Sequence, residues 1–142
     1  MTQTLQKPQL VFFLSIPPII LAGLLGGEST TIINIHDTYF IIPHLTISIL
    51  ISIGFAIVGL GYWLMYKAQY KLITGLNFAH VVLTFGSLLI TYCISVFTKG
   101  YNEFSLFNQT PKLELIQTVA ILLILLGQFI YLINIVSSIL RR

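Results

Sequence analysis

The chain has 142 residues, of which 56% are hydrophobic and only 8% charged. A soluble domain of this size covers its surface with roughly 25% charged residues. The composition therefore excludes a water-exposed globule, and lipid must replace the missing polar surface. The net charge of +3 rests on seven Lys and Arg, placed at the ends of apolar runs. That placement points to the anionic face of a membrane and not to nucleic acid. Cys93 is the single cysteine, so neither a disulfide nor a cysteine metal cluster can form within one chain. It lies in an apolar run and is expected to be a small buried hydrophobe.

Four apolar runs are each long enough to cross about 30 Å of hydrocarbon at 1.5 Å per residue. The first covers about 9–27 and contains Pro17-Pro18, which is expected to kink it. Lys7 ahead of an apolar stretch with small residues after it also has the form of a signal peptide. The paired prolines favour a kinked span. A 12-residue loop, Glu28 to Tyr39, leads into the second run at about 40–66, which carries no charge. The tight basic turn Lys67-Ala68-Gln69-Tyr70-Lys71 joins it to the third run, at about 72–98. A polar loop from Lys99 to Lys112 precedes the fourth, at about 113–140. Glu114 falls at the start of that run, where its charge complements the helix dipole.

Orientation follows from the basic flanks. With four spans, the N-terminus, the Lys67–Lys71 turn and the C-terminus share one side, with Lys7, Lys67, Lys71, Arg141 and Arg142. The other side has Lys99 and Lys112, beside Glu28, Asp37 and Glu103. Five against two places both termini in the cytoplasm and the loop around His36 outside.

One segment carries chemistry. His36-Asp37-Thr38-Tyr39-Phe40-Ile41-Ile42-Pro43-His44 places two imidazoles, a carboxylate and a phenol within nine residues, at the outer mouth of the second span. Asp37 has three readings: a cap on the second helix, a metal ligand together with His36, or a contact to a partner subunit. His44 reads as a buried histidine bonded to a neighbouring helix or as a heme ligand, since ionisable groups at membrane depth are paired or functional. His80, in the third span, reads as a helix-to-helix hydrogen-bonding group or a proton relay. Tyr39, Tyr62, Trp63 and Tyr66 suit interfacial anchoring. Asn108-Gln109-Thr110 matches a glycosylation acceptor, meaningful only in a eukaryotic secretory setting.

The His36-Asp37-Thr38-Tyr39 stretch resembles the entry to the tenth transmembrane helix of subunit I in the heme–copper oxidase family, the cytochrome c and quinol oxidases. Leu21-Ala22-Gly23-Leu24-Leu25 and Ile32-Ile33-Asn34-Ile35 are similar to the end of the ninth helix and its link to the tenth. Ser52-Ile53-Gly54-Phe55-Ala56 and Gly61-Tyr62-Trp63 are similar to the body and end of the tenth. Gln128 to Val136, with Ser138 and the basic pair Arg141-Arg142, resembles the twelfth. The likeness covers nearly all of this chain but only the last third of a complete subunit I. It implies that His36 and Asp37 stand where the family binds magnesium, with partners and water supplying the remaining ligands. It implies that His44 stands at the axial ligand of the high-spin heme. The second family histidine falls at Thr46, whose hydroxyl cannot replace an axial imidazole, so the low-spin site is lost. The copper-ligating histidines belong to earlier helices and are absent, which makes copper an unexpected cofactor. The 99–112 loop also contains no arginine where the family sets its propionate-binding pair.

His44 lies about one turn below the outer surface and His80 about two turns above the inner end. At 1.5 Å per residue their depths differ by roughly 20 Å, so one chain is not expected to clamp a heme between them. Symmetric use of His44 from two subunits stays open.

The expectation is an all-α integral protein of a bacterial inner membrane, with four transmembrane helices forming a single domain. On the resemblance it is a non-catalytic accessory or homo-oligomeric relative of oxidase subunit I that keeps a heme or metal contact at the outer end of its second span. Two alternatives stand beside it. One is a split C-terminal fragment serving aerobic electron transport with a separate partner; the other is an unrelated small transporter or channel. Gly54 and Gly61 are seven residues apart on one face of the second span and suggest close helix approach in an assembly.

Overall fold

Residues 7–27, 30–35, 38–98 and 111–141 are described in the computed structural model. Helix α1 covers Pro8–Leu25. Proline suits its first position, where an N–H would have no intrahelical partner anyway. The helix runs unbroken through Pro17 and Pro18, giving up the donors that would reach the Phe13 and Leu14 carbonyls. It closes with Gly26 N–H donating to the Ala22 carbonyl at 3.1 Å. Gly27 then takes φ +58°, a left-handed turn that glycine enters without a Cβ clash.

The chain next forms an antiparallel hairpin, β1 (Thr30–Ile35) and β2 (Thr38–Pro43), in register from Thr30↔Pro43 to Ile35↔Thr38. Its strands are rich in Thr, Ile, Tyr and Phe, residues that favour extended backbone. This corrects the sequence expectation twice. Residues 30–35 and 38–39 are strand and not loop, and the second helix does not begin near Phe40. Proline steers the residue before it away from helical backbone, so Ile42 stays extended and α2 starts only at His44 (His44–Lys67). The N-cap is Pro43, with no side-chain capping bond. Asp37, the sequence candidate for the cap, lies outside the described residues.

Helix α2 ends at Lys67, and Ala68 N–H and Gln69 N–H donate to the Leu64 and Tyr66 carbonyls at 2.9 and 3.1 Å. Helices α3 (Thr74–Thr98) and α4 (Pro111–Leu140) follow. Pro111 opens α4, so Glu114 belongs to its first turn. All four helices are long and apolar enough to cross a membrane, as the hydropathy pattern requires.

The chain divides into two compact units, Met1–Gln69 and Tyr70–Arg142. In the first, α1 and α2 pack antiparallel. Phe12 is fully buried and organises the contact: its ring meets Phe55 edge-on at 5.2 Å and stacks on Tyr62 at 6.0 Å. Tyr62 is itself fully buried. It is a core residue, not the interfacial anchor expected from sequence, because the α1 aromatic beside it covers its ring. Trp63 and Tyr66 do lie exposed. At the other end of the pair, a Cβ on Gly23 would fall 2.5 Å from Ser48 Oγ and 3.3 Å from Leu45 Cα. Only glycine permits that approach.

In the second unit α3 and α4 also pack antiparallel, but along a different kind of seam. The buried residues of α3 include Asn77, His80, Thr84 and Ser87, while Phe78, Val82, Leu89 and Tyr92 face outward. Cys93 is likewise exposed, contrary to expectation, because it falls off that seam.

Candidate functional site

His44, the sequence candidate for heme ligation, is the first residue of α2 and half-buried. A Cβ on Gly26 would lie 3.4 Å from both His44 Cβ and Nδ1. The imidazole thus occupies the space that Gly26 leaves open at the end of α1. An imidazole nitrogen is a possible metal ligand, and the close approach to Gly26 involves the Cβ and Nδ1 side of the ring. Thr46 is exposed on α2 and supplies no second imidazole. His36 and Asp37, the magnesium candidates, lie outside the described residues; the described chain stops at Ile35 and resumes at Thr38, which pair with each other across the hairpin. Among the described residues no group of three or more His, Cys, Asp and Glu stands together.

The α3–α4 seam contains a second constellation. Asn134 is fully buried and makes three bonds. Its Nδ2 donates to Asn77 Oδ1 at 2.7 Å and to the Ile73 carbonyl at 3.3 Å, and its Oδ1 accepts Ile73 N–H at 3.0 Å. Ser138 Oγ donates to the Lys71 carbonyl at 3.1 Å. Ile73 and Lys71 lie just before α3, so α4 pairs the Ile73 N–H, which the helix cannot satisfy itself, and adds a second donor to the Ile73 carbonyl, which already accepts Asn77 N–H at 3.1 Å. Further along, His80 is fully buried, hydrogen-bonded to Gln128 and 5.3 Å from the Tyr131 ring centroid. This is the helix-to-helix bond that one reading of His80 anticipates. Gly127 makes room for it: a Cβ there would come within 3.1 Å of Thr84 Oγ1 and 3.5 Å of His80 Cδ2.

Asn77, His80, Thr84, Ser87 and Thr91 recur at steps of three and four, which places them on one stripe of α3. The spacing was legible in the sequence. A search for long apolar runs passes over it, because each polar residue is surrounded by apolar ones. The seam can hold two helices in one register.

The chain matches no protein-family model, no curated protein and no solved structure.

Proposed function

We propose that this chain is a non-catalytic multi-pass membrane subunit, related to the last four helices of heme–copper oxidase subunit I. It works in an assembly, as a homo-oligomer or with other membrane subunits, with both termini in the cytoplasm of a bacterial cell. The observation that carries the membrane part is the inside-out arrangement of α3. Asn77, His80, Thr84 and Ser87 are buried while Phe78, Val82, Leu89 and Tyr92 face outward, which suits lipid and not water. The oxidase part rests on the His36-Asp37-Thr38-Tyr39 motif, the basic flanks and the likeness of the last helix. Loss of the second heme histidine at Thr46 favours a subunit that does not reduce oxygen on its own. A heme held by His44, and magnesium at His36 and Asp37, belong to the same proposal. When bound, a heme would supply iron-centred redox chemistry, and His44 would hold it through an imidazole nitrogen. The open face of α2 at Gly54, where a Cβ would meet nothing within 4 Å, leaves room for a neighbouring helix.

The test is purification in mild detergent and in nanodiscs. We expect an oligomer or a stable hetero-complex that Gly54→Leu/Gly61→Leu dissociates without loss of insertion. We also expect no oxygen uptake with cytochrome c or quinol. Identical monomers for parent and variant would sink the assembly reading. A Soret band removed by His44→Ala supports the heme contact, and a featureless spectrum removes it from the proposal.

A second reading, a small transporter, draws on the polar seam of α3 and α4. It is the weaker one, because the seam is closed: Asn77, His80, Thr84, Ser87, Asn134 and Ser138 are all buried, and the two asparagines bond each other.

A further inference from the structure

The open end of the first unit, opposite the hairpin, carries a feature that neither the assembly nor the heme reading uses. Lys7 precedes α1 and Lys67 ends α2, and the antiparallel packing brings these two helix ends together. Lys7 Nζ sits 5.6 Å from the Tyr66 ring centroid, and Lys67 Nζ sits 5.0 Å from that of Trp63. Trp63 and Tyr66 are three residues apart on α2, hence neighbours on one side, about 4.5 Å apart along the axis. Both rings and both lysines are exposed. Two ammonium groups therefore stand over two adjacent aromatic rings at the end of an apolar helix pair.

Among the described residues neither lysine is paired with a carboxylate. The only acidic residues in 1–69 are Glu28 and Asp37, and both belong to the segment joining the other ends of α1 and α2. A ring face attracts a cation and holds it in place but does not neutralise it. An anion from outside the chain can supply the neutralising charge. At this height, beside Leu64 and the exposed apolar face of α2, the available anion is the phosphate of a lipid whose acyl chains lie along that face.

We propose that Lys7, Trp63, Tyr66 and Lys67 form a binding site for the headgroup of an anionic glycerophospholipid such as phosphatidylglycerol. The phosphate lies between the two ammonium groups, and the rings flank the glycerol region. The site rests on the membrane reading and is independent of the oxidase relationship.

Trp63 is the only tryptophan in the chain, so the site reports on itself. The full chain is reconstituted into phosphatidylcholine vesicles containing an equal mole fraction of brominated phosphatidylglycerol or brominated phosphatidylcholine. Quenching of Trp63 then measures which lipid occupies the site. A lysine near an anionic lipid favours it by about fivefold at low salt. We therefore expect brominated phosphatidylglycerol to be preferred at least fivefold, with the preference falling as salt rises. Lys7→Gln/Lys67→Gln should bring the two lipids to parity, and Lys7→Arg/Lys67→Arg should retain the preference. Should the glutamine pair fail to insert, the salt titration on the unmodified chain and the arginine pair still decide. Equal quenching by both lipids in the unmodified chain overturns the site, as does a preference unchanged in the glutamine pair. Relief of quenching by soluble glycerophosphate would assign the site to a free anion and overturn the lipid. No quenching by either lipid would instead mean that Trp63 does not meet a bilayer, and the membrane reading itself would fall.

Discussion

The two helical hairpins solve one problem by different means. In lipid, apolar side chains gain little by leaving their surroundings for one another, so helices must be joined by packing, small residues or hydrogen bonds. The first unit uses shape. Phe12 fills the space between Phe55 and Tyr62, and Gly23, Gly26 and Gly59 let α1 and α2 approach closely. The second unit uses directed bonds, with Asn134 reaching both Asn77 and the backbone of Ile73. Packing is lost in proportion to the contacts removed, whereas a hydrogen-bonded seam depends on particular donor and acceptor pairs, each of modest strength. The difference lies in which side chains join each pair, chiefly rings and glycines in the first unit and chiefly amides in the second. It also places the specificity of each pair in identifiable side chains.

The comparison breaks hardest at Phe12. Phe12→Ala should destabilise the first unit by about 3 kcal/mol, the low end for a large buried ring, because in lipid the lost contacts are not compounded by a return to water. Trp63 emission during denaturant titration in bicelles reports this unit alone. A change below about 1 kcal/mol would mean that the aromatic cluster does not hold α1 to α2.

Asn134→Leu comes next, at about 1–2 kcal/mol, since it strips partners from Asn77 Oδ1 and from the Ile73 N–H, while the Ile73 carbonyl keeps Asn77 N–H. Amide exchange at Ile73 should accelerate while exchange in α1 and α2 stays unchanged. Asn134→Leu/Asn77→Leu should cost less than the sum of the single changes, because the second removes a group already left unpaired. Strict additivity would show that the two asparagines do not act as a pair.

The smallest contrast lies within α2. A Cβ at Gly59 would meet the Phe13 ring at 3.0 Å, while one at Gly54 meets nothing. Gly59→Ala should cost about 0.5–1 kcal/mol, because the ring can yield only partly. Gly54→Ala should be neutral or slightly stabilising through helix propensity. The same titration distinguishes them, and equal effects would remove the argument for close packing at Gly59.

The polar stripe of α3 was present in the sequence as a recurrence of Asn77, His80, Thr84 and Ser87. What could not be read there is that Asn134 and Ser138, some sixty residues on, face its beginning. Tyr62 shows the same limit. Near a helix end and next to Trp63, it has the local context of an interfacial residue; burial under Phe12 depends on a different helix. For His44, sequence located the residue, but its seat against Gly26 follows from the packing of α1 on α2.

Sequence by itself determined that four segments are able to cross a membrane, where they begin and end to within a few residues, and that the basic residues gather at particular ends. These are sums over neighbours in the chain, and about twenty apolar residues suffice for a span whatever they later touch. Only the tertiary structure decided that Thr30–Ile35 pairs with Thr38–Pro43 and that α2 waits until His44. It also decided which stripe of each helix turns inward, with rings in one unit and amides in the other. Each of those outcomes depends on a partner many residues away, and an antiparallel pairing is defined by both strands or both helices together.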